Sequence, residues 1–261
     1  MIEEIEGKKM KFNDKTAVIT GGANGIGLCI ATEFAKLGAK VAIVDIDKDA
    51  GEKVLRRISD NGGKGLFYCG DIAEKAVLEG FSEKVIREYG KIDYLINNAC
   101  ISRKGIISGC DFDAFNYVLK VGVTAPYMLT KLFMPHFHTG GAVVNISSTR
   151  AMMSQSDTES YTSAKGGISA LSNSLAVSLA GWIDVTANFD ENYDQKHSQA
   201  DKVQHPSKRV GNPLDIARAV LLLCAENNNF IQGQNITVDG GMTKQMIYSG
   251  DNGWTYDCFS K

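Results

Sequence analysis

Short apolar runs alternate along the chain with longer segments that carry apolar residues at three- and four-residue spacing. Short, nearly continuous apolar runs are typical of strands that are covered on both faces of a sheet. These runs predict seven strands, at residues 16–20, 41–44, 66–69, 94–97, 143–147, 183–187 and 236–238.

The longer segments predict helices, because apolar residues three and four positions apart share one helix face. The predicted helices cover residues 25–37, 48–61, 74–89, 112–137, 161–179 and 213–225. Buried parallel strands joined by helical crossovers form an open sheet with helices on both faces. The pattern therefore predicts an α/β fold: one doubly wound domain, residues 1–261, with a seven-stranded parallel sheet flanked by helices.

Composition adds several exclusions. The chain has 261 residues, which suits one large domain, and a net charge of -2, which argues against nucleic acid or an anionic membrane as a partner. Its longest apolar run, 219–225, is too short for a membrane span, and its charged start predicts no secretory leader. The six cysteines show no zinc-like spacing, and no cluster completes a metal site around His136 and His138. We expect a cytoplasmic protein without a bound metal.

A glycine-rich segment, Thr-Gly-Gly-Ala-Asn-Gly-Ile-Gly at residues 20–27, joins the first predicted strand to the first predicted helix. Glycines let the backbone turn sharply and approach a pyrophosphate, and the amides at a helix N-terminus attract phosphate. In this context the segment indicates a dinucleotide-binding loop, with a plain tight turn as the alternative. Its candidate cofactor-binding residues are Gly21, Asn24, Gly25, Ile26 and Gly27.

Asp45 and Ile46 follow the second predicted strand and are the next candidate cofactor residues. A carboxylate at this place accepts hydrogen bonds from the adenosine ribose hydroxyls and repels a 2′-phosphate, which favours NAD over NADP. The alternative is that Asp45 caps the next helix.

Two further strand ends are expected to face the same crevice. Asp71 and Ile72 follow the third strand, where a side chain can reach the adenine amino group. Asn98 and Ala99 follow the fourth, where backbone and amide groups can fix the neighbouring ribose. Taken alone, each pair is equally typical of a strand-end cap.

Tyr161 and Lys165 lie four residues apart and so share one face of a predicted helix. A nearby ammonium stabilises phenolate and lowers the tyrosine pKa from its usual value of about 10, which makes tyrosine usable as an acid and base. Tyr127 and Lys131 have the same spacing without any supporting feature. Ser148, at the end of the fifth strand, distinguishes the first pair because its hydroxyl could hold the substrate oxygen.

The order and spacing of these motifs resemble the short-chain dehydrogenase/reductase family over residues 12–243. The matching features include the glycine loop, the Asn-Asn-Ala segment, the Tyr-x-x-x-Lys pair and residues 231–242. The resemblance implies a Rossmann-type domain, NAD(P) binding, hydride transfer between the nicotinamide and an alcohol or ketone, and homodimers or homotetramers. It also implies roles: Tyr161 as general acid and base, Lys165 on the nicotinamide ribose, and Ser148 on the substrate carbonyl.

The sequence departs from the family pattern at three places. Gly122 stands where the family usually has an asparagine that holds a helix kink and a proton-relay water. Cys100 replaces a glycine beside the cofactor. Asp190 and Glu191 replace a Pro-Gly turn near the nicotinamide, and Gln195 replaces a threonine expected to bind its carboxamide.

These features predict an NAD-dependent oxidoreductase that interconverts a small secondary alcohol and its ketone. The polar residues Gln155, Asp157 and Glu159 favour a hydrophilic substrate such as a polyol, with Gln155 as a candidate contact beside Ser148 and Tyr161. The short polar segment 190–205 predicts a mobile lid.

Two alternatives stay open. Because of Gly122 and the Asp190-Glu191 pair, the protein could bind a dinucleotide with weak or no catalysis. The aromatic tail, 243–261, is expected to pack on the domain or on a neighbouring subunit, and it could instead bind a different protein.

Overall fold

The structure is a computed structural model that describes residues 11–180, the backbone of 183–189, residue 202 and residues 204–245. Asp190, Glu191 and Gln195 lie outside the described residues, as do most of the predicted lid and the tail beyond residue 245.

The predicted parallel sheet is confirmed. Every neighbouring pair of strands is parallel, and the order across the sheet is β3-β2-β1-β4-β5-β6-β7. The strands are β1 Thr16–Thr20, β2 Lys40–Asp45, β3 Lys64–Cys69, β4 Ile92–Asn97, β5 Phe137–Ser147, β6 Ile183–Phe189 and β7 Asn235–Thr237. The order in which strands are added reverses between β1 and β4, where crossovers to either side leave a crevice at the carboxyl ends of the strands.

Helices cover both faces of the sheet, as the alternating pattern predicts. The helices are α1 Gly25–Lys36, α2 Lys48–Asp60, α3 Lys75–Tyr89, α4 Phe112–Leu119, α5 Ala125–Phe133, α6 Glu159–Ser178 and α7 Pro213–Leu223. One apolar core packs α1, α2 and α7 on the sheet, and its rings include Phe12, Phe34 and Tyr94. A second core packs α3, α5 and α6 on the other face, around Phe81 and Phe133.

The predicted helix at 112–137 is wrong in two respects. The last α-helix in this region ends at Phe133, and β5 already begins at Phe137. Residues 138–140 of β5 are exposed, so the start of the strand lacks the apolar run by which the other strands were predicted. The predicted helix is also interrupted by a π-helical segment, Lys120–Thr124, between α4 and α5. Pro126 has no N–H to donate to the carbonyl of Gly122, four residues earlier. The N–H of Ala125 bonds to the carbonyl of Lys120, five residues earlier, which widens the turn.

The π-helical segment packs very closely on α6. A Cβ added at Gly122 would lie 2.9 Å from the Cβ of Ala164, and one added at Gly167 would lie 2.9 Å from Cγ2 of Val123. Ala164 is buried and directly precedes Lys165, so this contact helps to set the position of the helix that carries the predicted catalytic pair. A side chain at Gly122 would have to displace α6.

We therefore expect Gly122→Asn, which introduces the usual family residue, to lower the free energy of unfolding by about 1–3 kcal/mol, the usual cost of overpacking. The same substitution should cost clearly less in an Ala164→Gly background, because the opposing methyl is gone. Urea unfolding of the two single variants, the double variant and the wild type measures this coupling. Equal costs of Gly122→Asn in both backgrounds would contradict the close contact.

Candidate active site

A cavity of about 680 Å³ opens at the carboxyl ends of the strands on both sides of the β1–β4 crossover point. Most of the sequence-predicted cofactor residues line it: Gly21, Asn24, Gly25, Ile26, Asp45, Ile46, Asp71, Ile72, Asn98 and Ala99. It is also lined by residues that the sequence did not suggest for the cofactor: Val44, Asp47, Gly70, Ile101, Tyr117 and Val121. Gly27, Tyr161 and Lys165 are not among the residues that line this cavity.

The glycines of the loop after β1 serve different purposes. Gly21 has φ +64°, and a Cβ on it would lie 2.9 Å from the Cα of Ala99. A Cβ on Gly27 would collide with the Gly21 carbonyl, so Gly27 allows the loop to fold back on α1 and does not face the cavity. Gly25 has φ +53° with open space around it. Only Gly25 therefore leaves room for a ligand at the missing side chain.

The N-terminus of α1 is directed at the cavity without a side-chain cap. Asn24 occupies the N-cap position, but its side chain accepts no hydrogen bond from the first turn. The first-turn amides of a helix need partners, and together with the helix dipole they favour an anion. This donor set suits a diphosphate.

The chain leaving β4 is fastened to the glycine loop. The Thr20 hydroxyl oxygen accepts hydrogen bonds from the backbone N–H groups of Asn98 and Ala99, at 3.1 and 3.0 Å. The Asn98 side-chain amide donates to the carbonyls of Thr20 and Gly21, at 2.9 and 3.1 Å. The Asn98 side chain therefore binds the chain after β4 to the glycine loop, and Asn98 also lines the cavity.

Asp45 is held by backbone amides at the edge of the cavity. Its carboxylate oxygens accept hydrogen bonds from Ala23 N and Asp47 N, both at 3.0 Å. The alternative that Asp45 caps α2 is wrong, because the cap is Asp47, whose carboxylate accepts from Ala50 N at 2.9 Å. With Asp71, three aspartates and no lysine or arginine occur among the described residues that line the cavity.

Ser148 and the Tyr161–Lys165 pair both lie near the end of β5. Ser148 is buried directly after β5, and its Oγ accepts a hydrogen bond from Arg150 N at 3.2 Å. Lys165 is also buried, and its Nζ donates to the Ile146 carbonyl at 2.7 Å and lies 5.5 Å from the centre of the Tyr161 ring. The predicted ammonium beside the tyrosine ring is thus present, on a helix fixed to β5.

Asp157 and Glu159 hold the loop that follows β4. The Asp157 carboxylate accepts from Ile107 N at 3.0 Å, from Ser108 N at 3.1 Å and from the Ser108 hydroxyl, and Glu159 accepts from Ile106 N at 3.0 Å. The Ser108 hydroxyl bond is the main cause that holds the pKa of Asp157 below its ordinary value.

These contacts correct the interpretation of Asp157 and Glu159 as residues that favour a hydrophilic substrate. Their carboxylates are occupied by the loop, so they no longer support a preference for polyols. Gln155 is exposed and its amide oxygen accepts a hydrogen bond from the Arg150 guanidinium. Cys100, the residue in place of the usual glycine, is exposed and lines the cavity.

None of the helices among the described residues is both long and apolar enough to cross a membrane. In the same part of the chain, no group of three or more His, Cys, Asp or Glu side chains is arranged to hold a metal ion.

The sheet order and the cavity at the crossover point are those of a Rossmann-type fold, the class that binds dinucleotides at this place. The profile of a family described as enoyl-(acyl carrier protein) reductase matches residues 21–243. An uncharacterized oxidoreductase of Thermotoga maritima is 38% identical over an alignment of 250 residues, and the match covers 90% of this chain and 98% of that protein. The chain belongs to the short-chain dehydrogenase/reductase family.

Two solved structures have closely similar folds. The structure of an apo SCOR enzyme from Clostridium thermocellum has a TM-score of 0.85 and 38% identity, and the match covers 93% of this chain and 98% of that one. A short-chain dehydrogenase from Burkholderia cenocepacia in complex with NADP has a TM-score of 0.84 and 26% identity and covers 89% of this chain and 99% of its own.

We expect Asp157→Ala to loosen the loop after β4, because two backbone N–H groups and the Ser108 hydroxyl lose their acceptor. Arg103 and Lys104 lie in this loop, so trypsin should cut there several-fold faster than in the wild type. Cleavage followed by mass spectrometry measures the effect, with Asp113→Ala as the control for an exposed acid nearby. Unchanged cleavage at both sites would show that Asp157 does not fasten the loop.

Proposed function

We propose that the protein is an NAD(H)-dependent oxidoreductase that interconverts a small secondary alcohol and its ketone. The observation that carries this proposal is the position of Lys165, whose Nζ lies 5.5 Å from the centre of the Tyr161 ring and is bonded to β5, the strand that Ser148 directly follows. The cavity, whose uncapped α1 N-terminus suits a diphosphate, supports the cofactor class.

Each polar group of the site has a task in this proposal. The bound nicotinamide supplies the hydride acceptor or donor. Ser148 donates a hydrogen bond to the substrate oxygen and holds it, and the Tyr161 oxygen takes the proton from the alcohol or returns it to the ketone. Lys165 stabilises the phenolate form of Tyr161, because its positive charge is buried nearby. Residues of the glycine loop, Asp45 and Asn98 would hold the cofactor.

We infer NAD as the preferred cofactor from Asp45. Its fixed carboxylate, without a lysine or arginine among the described lining residues, favours two ribose hydroxyls over a 2′-phosphate. The Burkholderia cenocepacia relative is in complex with NADP, so the proposed NAD preference of this chain rests on Asp45 and not on its relatives.

The assembly is also part of the proposal. We infer a cytoplasmic homodimer or homotetramer formed by a single domain, 1–261, with the tail packed on it or on a neighbour. Exposed apolar residues on three neighbouring helices support such an assembly: Phe112, Tyr127 and Val177. Dinucleotide binding with weak or no catalysis remains the alternative, because Gly122 and the Asp190-Glu191 pair together depart from the family pattern.

Tyr161→Phe should abolish turnover and leave NADH binding within about threefold, because only the proton-transferring hydroxyl is removed. Turnover is measured on a panel of secondary alcohols and ketones, and binding by NADH fluorescence. Tyr127→Phe, from the other Tyr-x-x-x-Lys pair, is the matched control and should retain activity. NADH binding without turnover in the wild type would favour the alternative; equal turnover of wild type and Tyr161→Phe would refute the assigned acid and base.

Asp45→Asn should shift the ratio of NADPH to NADH affinity towards NADPH by about 10- to 100-fold, as expected for one charged hydrogen bond. The substitution removes the charge but retains an acceptor for Ala23 N. Asp49→Asn, in the first turn of α2 and outside the cavity lining, is the control. A wild type that prefers NADPH would overturn the inferred role of Asp45.

A further inference from the structure

Tyr117, on α4, lines the part of the cavity that is formed by the residues following β3. The Tyr117 hydroxyl donates a hydrogen bond to Oδ2 of Asp71 at 2.8 Å, although the two residues are 46 positions apart. The other carboxylate oxygen, Oδ1, accepts from Ala73 N at 2.9 Å. Asp71 and Tyr117 both line the cavity. Each oxygen of Asp71 is therefore held by one donor from the protein itself.

Tyr117 is itself held in place from two directions. The α4 helix that carries it is capped by Asp111, whose carboxylate accepts from Ala114 N at 2.8 Å. The guanidinium of Arg103 lies 5.4 Å from the centre of the Tyr117 ring, within the range of a cation–π contact. Burial, followed by the bond to Asp71, raises the pKa of Tyr117, so its hydroxyl remains a hydrogen-bond donor.

Two donors on different oxygens restrict rotation of the carboxylate. A carboxylate has about four acceptor positions, so Asp71 retains acceptor capacity for a ligand after binding Ala73 N and Tyr117. A pre-oriented acceptor loses less conformational entropy when it binds a donor. The donor expected at this end of the cavity is the exocyclic amino group of adenine.

We propose that Tyr117 is a positioning residue for adenine recognition: by fixing the plane of Asp71, it sets how strongly the cavity distinguishes a 6-amino purine from a 6-oxo purine. This inference rests on the proposed dinucleotide function. It concerns binding specificity, so it can be tested without knowledge of the alcohol or ketone. Tyr117 touches Asp71 and acts through it.

The test compares Tyr117→Phe with the wild type by fluorescence titration of NADH and of reduced nicotinamide hypoxanthine dinucleotide. The phenylalanine retains the ring that lines the cavity and removes only the hydroxyl. We expect the preference for NADH over the hypoxanthine analogue to fall by about 3- to 10-fold, the usual range for one hydrogen bond. The loss should come from weaker NADH binding. Tyr127→Phe, on α5, is the matched control, and its preference should equal that of the wild type.

The possible outcomes separate the two proposals. A smaller preference in Tyr117→Phe alone supports the positioning role. An unchanged preference, or equal weakening for both dinucleotides, overturns that role while the dinucleotide function stands. A wild type that binds NADH and the analogue equally also overturns it, because Asp71 would then not read the amino group. A wild type that binds neither NADH nor NADPH removes the proposed function and this inference together.

Discussion

The close approach between the loop after β1 and the chain leaving β4 is the constraint on which the rest of the site depends. A Cβ at Gly21 would lie within 2.9 Å of the Ala99 backbone, so the two segments can meet only through glycine. Thr20 and Asn98 then join them with four hydrogen bonds. The two segments directly follow neighbouring strands of one sheet. Their contact therefore fixes the position of the cavity residues between them and of the start of α1.

The cavity built on this contact places negative side chains and a positive helix end at different positions. The carboxylates of Asp45 and Asp71 accept hydrogen bonds from backbone N–H groups, and these bonds fix the orientation of the carboxylates. The uncapped N-terminus of α1 provides the opposite polarity. In the proposed function, the helix end would attract a diphosphate and Asp45 would repel a second phosphate. The proposed selectivity therefore comes from where the charges are placed and does not depend on the small net charge of the chain.

The local sequence pattern was sufficient to predict the sheet, its parallel strands and most of the residues that line the cavity. These features depend on residues close together in the sequence, because each strand, the loop after it and the next helix form one continuous segment. Contacts between distant segments were not predictable in this way. Tyr117 reaches Asp71 across 46 positions, and Asp157 and Glu159 bind backbone N–H groups, which leave no mark in the side-chain pattern. The π-helical segment did have a signal, since Pro126 cannot bond to the Gly122 carbonyl.

Gly122 departs from the family pattern, yet it does not by itself argue for lost catalysis. The wide helical turn at this position has causes of its own in Pro126 and in the bond from Ala125 N to the Lys120 carbonyl. The space that a side chain at position 122 would need is occupied by Ala164 of α6, the residue before Lys165. Lys165 is still buried, bonded to the Ile146 carbonyl and close to the Tyr161 ring. The bonds that place Lys165 do not involve position 122, so the consequence of the glycine should concern the proton-relay water that the family resemblance assigns to an asparagine there, and not the placement of the tyrosine.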